Sequence, residues 1–276
     1  MTIWICVTCG VEHADSPHPP EHCAICSDDR QWVPQTGQSW TTQDELAGAH
    51  EFVITELEPD LFTITLDPEF AIGQHTLLVR TPAGNLLWEP SGFMTAAMVE
   101  AVRDLGGVAA VTASHPHLTG APISWSHEFD GVPVYVNADD KRWIHRPDDA
   151  IELWVDQVEV LPGLTLVQAG GHFPGSCVAR WQAGAGGNGV LLVGDTLMVA
   201  ADRASVSFMR SYPNNIPMSE RLVRRIVAAL EPLEYDRIYG AFGGAISSNA
   251  QAVVRFSADR YIGWLRDDIR DPDERV

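Results

Sequence analysis

The chain has 276 residues, a formal net charge of −19, and a hydrophobic content of 45%. This length and apolar content suit one large domain with a small appendage, while the acidic charge repels phosphate backbones and argues against a nucleic-acid partner. Because no apolar run approaches the ~20 residues of a membrane helix and no secretion signal is evident, we expect a soluble cytoplasmic protein without a membrane partner.

The first predicted element is a small metal-binding segment over residues 1–36. Its four cysteines form two C-x2-C pairs: Cys6 and Cys9, Cys23 and Cys26. Such pairs close a tetrahedral thiolate site, usually for zinc and occasionally for rubredoxin-like iron. Residues 10–22 contain almost no apolar side chains, so the metal must supply the folding energy. We therefore predict structural zinc here. The segment also carries three possible substitute ligands: His13, His18 and His22.

Residues 37–49 are predicted to be a linker with a short helix, and residues 50–276 a large domain. Strand patterns occur at residues 52–54, 61–66, 76–80, 86–88, 132–136, 164–168, 176–181 and 190–193. A helix is predicted over 93–105, before a pair of glycines. Strands followed by helices predict an α+β fold in which helices flank sheets.

Two more helices are predicted near the end of the chain. The first has an apolar stripe that includes Leu222, Ile226 and Leu230. In the second, Ser248 and Gln251 have the spacing of a capping box. The apolar residues predicted to line that second helix are Ala252, Val253, Phe256, Trp264 and Leu265.

Three segments of the large domain carry candidate metal ligands. His115 and His117 follow the apolar run 108–111, and in an extended segment residues i and i+2 face the same side. His172 lies in a glycine-rich loop directly before a strand, and Asp195 follows the buried strand 190–193. Histidine and carboxylate ligands from separate loops are typical of zinc and iron sites.

These segments read S-H-P-H-L-T-G, G-G-H-F-P-G-S and G-D-T-L in chain order, and they resemble the fingerprint of the metallo-β-lactamase superfamily. The resemblance implies a four-layer αββα sandwich with a metal site at one edge of its two sheets. It also implies the ligands of the first metal site: His115, His117, His172 and Asp195. Glu89 resembles the early acidic residue of the family. The N-terminal cysteines more loosely resemble a subgroup that carries a zinc-ribbon segment, and residues 1–36 are called the ribbon below.

The chain departs from the family at every ligand that belongs to the second metal site alone. Thr119 and Gly120 occupy the positions of the family's Asp-His pair, and Phe242 replaces its late histidine. One zinc or iron ion is therefore expected in the sandwich. A single ion cannot stabilise both the attacking and the leaving oxygen, as the two metals of phosphodiester hydrolysis do, which argues against that activity. Thr119 also cannot accept a proton as the family's aspartate does.

Three functions remain open at this point. The first is a mononuclear metal-dependent hydrolase acting on a small ester or thioester. The second is a non-catalytic binding or scaffold protein with a vestigial site, and the third is an iron oxygenase resembling the superfamily's persulfide dioxygenases. The partner expected for an enzyme is a small-molecule substrate, and the oligomeric state stays open.

Several other side chains are candidates for supporting roles. The possible proton acceptors are His127, Glu128 and His145, and the possible contacts to an anionic substrate are Arg203, Arg210 and Tyr212. The possible pocket walls are Trp88, Trp125 and Trp143. Cys177 stands alone and is expected to be a small buried hydrophobe rather than a reactive thiol.

Overall fold

A computed structural model describes residues 1–273, so the last three residues of the predicted large domain lie outside the described part. The N-terminal segment contains β1 (Ile5–Cys6), which pairs antiparallel with β2 (Trp40–Thr41). A short helix follows, α1 (Gln43–Leu46), whose first turn is capped by the hydroxyl of Thr42. The strand pair returns the chain from the cysteine segment to the large domain.

The first sheet has seven strands within the described residues, and their spatial order follows the chain. They are β3 (Glu51–Glu58), β4 (Leu61–Asp67), β5 (Thr76–Thr81), β6 (Gly84–Trp88), β7 (Ala110–Thr112), β8 (Val134–Asn137) and β9 (Ile151–Trp154). Strands β3 to β6 are antiparallel, and β6 to β9 are parallel. Helix α2 (Ala96–Asp104) connects β6 to β7, and α3 (Pro122–Glu128) connects β7 to β8.

The second sheet has six strands in the described part of the chain, in the order β10-β11-β12-β13-β18-β19. Its first four are β10 (Gln157–Leu161), β11 (Leu164–Gln168), β12 (Cys177–Trp181) and β13 (Val190–Val193). Two small hairpins follow: β14 (Met198–Val199) with β15 (Val206–Ser207), and β16 (Met209–Ser211) with β17 (Ile216–Pro217). The remaining elements are α4 (Glu220–Leu230), β18 (Arg237–Gly240), β19 (Ala245–Ile246) and α5 (Ala250–Leu265).

The central strand β13 shows how the layers form. All four of its residues are buried, and successive side chains of a strand point to opposite faces. Leu192 packs between the two sheets, whereas Leu191 packs against α4 and α5. Helices α2 and α3 cover the outer face of the first sheet through residues such as Val99. The result is the four-layer αββα sandwich, which confirms the predicted fold.

The prediction for the last helix was wrong in two respects. Its N-cap is Asn249 with a φ of +55°, and Gln251 donates from Nε2 to the carbonyl of Leu233 instead of completing a capping box. Phe256 is 59% exposed, because it lies about 200° around the helix from buried Val254. The buried face is formed by small and branched residues: Val254, Ser257, Ala258 and Ile262.

Among the helices of residues 1–273, none has the combination of length and apolar character that crossing a bilayer requires.

Candidate metal centre

Three loops at one edge of the sandwich bring the four predicted ligands together. His115 and His117 follow β7, His172 lies between β11 and β12, and Asp195 follows β13. The carboxyl ends of β7, β11 and β13 meet at this edge, which explains how residues distant in sequence converge. All four side chains are buried, and Asp195 is the most exposed of them at 7%.

The two histidines of the H-x-H motif do not share the extended segment that was predicted to align them after the strand. Strand β7 ends at Thr112, and only His115 has an extended backbone. His117 lies in a 3-10 helix over Pro116–Leu118, which turns it towards the other ligands. The alternation of a strand is therefore not the reason that the two imidazoles converge. The proline after His115 starts the helical turn instead.

The separations between the ligand atoms fit one metal ion. Asp195 Oδ2 lies 3.7 Å from His115 Nε2 and 3.7 Å from His172 Nε2. His172 Nε2 lies 3.5 Å from His117 Nδ1. Ligands at zinc-bond lengths of about 2.0–2.1 Å in a tetrahedron lie about 3.4 Å apart. The observed separations are close to that value, so the residues fit a zinc-sized or iron-sized cation.

Hydrogen bonds behind the ligands fix which ring nitrogens face the centre. Ser114 Oγ donates to the Glu89 carboxyl and accepts from His115 Nδ1 at 2.8 Å. His172 Nδ1 donates to the carbonyl of Met209 at 3.0 Å. Both imidazoles therefore carry their proton on Nδ1 and keep the Nε2 lone pair for a metal. Glu89 is fully buried and acts through Ser114.

Burial sets the electrostatics of the four side chains. It lowers the pKa of His115 and His117 well below the usual value, with the charge of His172 adding to the effect. It also lowers the pKa of His172 to about 4 and raises the pKa of Asp195 to about 7. Among residues 1–273, no hydrogen-bond partner reaches His115 Nε2 or Asp195 Oδ1. Neutral imidazoles with free lone pairs are the form that binds a cation.

The four N-terminal cysteines form the second candidate metal site. Cys6 Sγ lies 3.6 Å from Cys26 Sγ, and Cys9 Sγ lies 3.7 Å from Cys23 Sγ. A tetrahedral zinc with Zn–S bonds of about 2.3 Å places its sulfurs about 3.8 Å apart. Gln38 Nε2 donates to Cys6 Sγ at 3.1 Å, a contact that stabilises a thiolate. The three nearby histidines are not members of this four-cysteine group.

Backbone atoms pack closely around Gly120, one of the two positions that replace the family's Asp-His pair. Gly120 has a φ of +53°, and a Cβ there would overlap the carbonyl oxygen of Pro90. Its own carbonyl accepts a hydrogen bond from the backbone nitrogen of Glu12 in the ribbon at 2.9 Å. Thr119 Oγ1 donates to the carbonyl of Pro116. A side chain larger than glycine is therefore excluded at Gly120, and the ribbon is docked on its carbonyl.

A cleft of about 250 Å³ reaches Asp195 from the outside. Phe242 lines it from the β18–β19 turn and is 41% exposed. Of the residues predicted to recognise an anionic substrate, Arg203 lines this cleft. Arg210 instead pairs with Asp29 of the ribbon at 2.8 Å. Tyr212 donates to the carbonyl of Ser207, so neither of these two side chains faces the cleft.

The predicted supporting residues divide between core and surface. Trp88, Trp125 and Cys177 are buried core residues, as is typical of their type. Trp143 lines a separate cavity of about 70 Å³ that borders His115 and also includes His145. The predicted proton acceptors lie outside the four-ligand group: His127 pairs with Asp148 at 2.9 Å, Glu128 lies at the surface, and His145 stacks on His13 at 4.5 Å.

Sequence reasoning missed three residues that support the centre. Ser114 carries the hydrogen-bond link to His115, and Phe173 packs on the histidine rings. Arg30 reaches the His172 loop from the ribbon. Ser114 and Phe173 are each next to a predicted ligand in the sequence, and this adjacency could have indicated their supporting roles. No local pattern indicates Arg30, because its partner is 142 positions away.

Comparison with solved structures gives the fold class. The crystal structure of VMB-1 matches with a TM-score of 0.59 and 11% identity over 78% of this chain and 98% of that chain. FIM-1 from Pseudomonas aeruginosa, in its mono-zinc form, matches with a TM-score of 0.56 and 15% identity over 76% and 95%. A B3 metallo-β-lactamase with an active-site glutamic acid matches at 0.52 and 15% over 94% and 100%.

The sandwich and its four-ligand edge therefore define a protein of the metallo-β-lactamase fold with an N-terminal four-cysteine cluster. No known protein-family profile matches the chain. The uncharacterized protein YmaE of Bacillus subtilis (strain 168) is 40% identical over 272 residues, which are 98% of this chain and 99% of YmaE. The chain belongs to the same family as YmaE.

Proposed function

We propose that this protein is a mononuclear metal-dependent hydrolase of small ester or thioester substrates. The observation that carries the proposal is the buried group of three histidines and one aspartate at coordination distances, beside a cleft open at Asp195. A zinc ion held by His115, His117, His172 and Asp195 would supply Lewis acidity and would lower the pKa of a bound water to about 7.

The chain itself supplies orientation and proton acceptance. His115 and His172 are held in one tautomer by Ser114 and by the Met209 carbonyl, so a bound metal keeps a fixed position. Asp195 Oδ2 faces the ring nitrogens of His115 and His172. Its Oδ1 has no hydrogen-bond partner within residues 1–273. We assign to that oxygen the role of proton acceptor for an attacking water, for which Thr119 lacks the chemistry.

The substrate class follows from the single ion and the cleft. Cleavage of a carboxylic ester or thioester develops charge on one oxygen, which one cation can stabilise, whereas phosphodiesters benefit from two. Phe242 and Val199 give the cleft apolar walls, and Arg203 provides a positive charge at its side. The mono-zinc form of FIM-1 is consistent with one ion on this fold.

The test is hydrolysis of p-nitrophenyl acetate and of S-phenyl thioacetate by zinc-loaded protein. We expect His172→Ala to reduce the rate by at least about 100-fold, since it removes a ligand of the reacting ion. His127→Ala is the control, because that histidine is exposed and binds Asp148 instead. Equal rates for His172→Ala and the unaltered chain, or no turnover with the sandwich metal bound, would overturn the proposal.

A second candidate is an iron-dependent oxygenase, and the number of ligands favours it. Iron held by these four residues would keep two of its usual six positions for substrate and oxygen, whereas zinc held by them would reach its usual coordination number without water. Oxygen uptake by anaerobically Fe²⁺-loaded protein on addition of glutathione persulfide would support this candidate. Absence of uptake by protein shown to hold iron in the sandwich would remove it. If the metal-loaded protein shows neither chemistry, a binding or scaffold role is the remaining proposal.

A further inference from the structure

The ribbon contributes a buried arginine to the surroundings of the candidate metal centre. Arg30 is only 4% exposed, and its Nη1 donates to the backbone carbonyl of His172 at 3.1 Å. Its guanidinium carbon lies 3.5 Å from the centre of the Phe173 ring. One side chain of the ribbon therefore contacts two consecutive residues of a ligand loop in the sandwich.

Phe173 transmits this contact to every histidine of the group. Its ring centre lies 4.7 Å from that of His117, 5.3 Å from that of His172 and 5.6 Å from that of His115. Aromatic pairs at these separations restrict one another's orientation. Arg30 thus packs on the Phe173 ring, which in turn contacts the three imidazoles.

The position of Arg30 depends in turn on the ribbon. Asp28, two residues after the last cysteine, binds the guanidinium through both carboxylate oxygens, one of them 2.8 Å from Nη2. The backbone carbonyl of Arg30 accepts from Ser211 Oγ at 3.0 Å. Ser211 belongs to β16, the same strand whose Met209 carbonyl holds His172 Nδ1. The His172 loop is therefore held between Arg30 and a strand to which Arg30 is itself bonded.

From these contacts we infer that Arg30 is a positioning residue through which metal binding in the ribbon raises the metal affinity of the sandwich site. The buried apolar cluster of the ribbon is its four cysteines, Val11 and Ile25, with only Trp40 and Trp143 of the described residues packed against it, so its fold requires the metal. Without that metal the Asp28–Arg30 pair is released, and the His172 loop loses its support. Coupling between two binding sites is reciprocal, so metal in the sandwich strengthens binding in the ribbon.

The test is a cobalt titration of the full-length chain. Thiolate-to-cobalt charge transfer reports the ribbon, and the thiolate-free d–d bands report the sandwich. We expect Arg30→Met to leave the ribbon signal unchanged and to weaken cobalt binding in the sandwich 10- to 100-fold, the usual effect of losing support behind a metal ligand. Arg210→Met is the control, because Arg210 also links ribbon and sandwich but pairs with exposed Asp29.

A sandwich affinity in Arg30→Met equal to that of the unaltered chain would overturn the inference. Circular dichroism checks that the variant folds. If it does not fold, the same titration is made with Arg30→Lys, which keeps the positive charge but loses the planar guanidinium group. An unchanged sandwich affinity in Arg30→Lys also overturns the inference. These readouts measure metal affinity rather than turnover, so they are independent of whether the hydrolase proposal holds.

Discussion

At the scale of single residues, the centre is built from buried groups whose neighbours decide their charge. Burial is the main cause that lowers the pKa values of the three histidines and keeps them neutral, with His172 adding to it for His115 and His117, and Arg30 for His172. Asp195 is the one ligand with an acidic side chain, and its pKa is raised to about 7 by burial. A cation bound at the centre would favour the ionised form of the Asp195 carboxylate. Metal binding and proton release are therefore linked.

Asp140 provides a prediction on pH dependence. It is 4% exposed, and burial raises its pKa to about 6 from an ordinary 3.8. The folded state therefore holds this proton more tightly than the unfolded state. The carboxyl then lowers the free energy of unfolding progressively as pH rises from 4 through 6, by about 1–2 kcal/mol between pH 5 and pH 8.

We expect Asp140→Asn to remove this pH dependence. The free energy of unfolding of the variant, relative to that of the unaltered chain, should then increase by the same amount between pH 5 and pH 8. Urea unfolding at the two pH values measures it. Asp130→Asn, which removes an exposed charge, is the control. A relative stability of Asp140→Asn that is constant or that decreases with pH contradicts the assignment.

At the scale of elements, the sequence predicted most of the sheets because their strands carry an apolar signal of the right length. The buried strand 190–193 and the antiparallel pair around the turn at residues 184–189 are examples. The last helix was misassigned on its buried face, because exposed Phe256 and Trp264 are apolar yet have no core to pack against. Composition alone cannot distinguish an apolar residue that is buried from one that is exposed.

The candidate site was predictable in its residues but not in its geometry. Motif order indicated all four ligands, and Pro116 is a local cause of the 3-10 turn at His117, whereas the support from Arg30 depends on tertiary packing. The docking of the ribbon on Gly120 likewise joins segments that are far apart in sequence. Such contacts leave no periodicity in the sequence.

Gly120 allows a direct test of how closely the backbone packs at this position. Gly120 and Gly131 both have positive φ, but a Cβ at Gly120 overlaps backbone atoms, whereas nothing lies within 4 Å of one at Gly131. We expect Gly131→Ala to cost about 1–2 kcal/mol for its backbone conformation alone. Gly120→Ala should cost at least about 2 kcal/mol more, because backbone must move. Denaturant unfolding measures both, and equal costs would show that the second-site region is not closely packed.

At the scale of the whole molecule, two candidate metal sites lie in one compact arrangement rather than in independent modules. Glu12 of the ribbon is 2% exposed and accepts hydrogen bonds from the backbone of Ile123 and Ser124 at the start of α3. Arg146 pairs with the same carboxylate. A buried, fully bonded acid at the contact between ribbon and sandwich makes their separation costly.

The most direct measurement is the number of metal ions per chain, obtained by elemental analysis after zinc loading and desalting. The central claim is that the sandwich holds one ion and the ribbon another, so the unaltered chain is predicted to contain two. His172→Ala is predicted to contain one, held by the cysteines. An unaltered chain with three ions would contradict the loss of the second sandwich site. A chain with one ion, unaffected by His172→Ala, would contradict a metal centre in the sandwich.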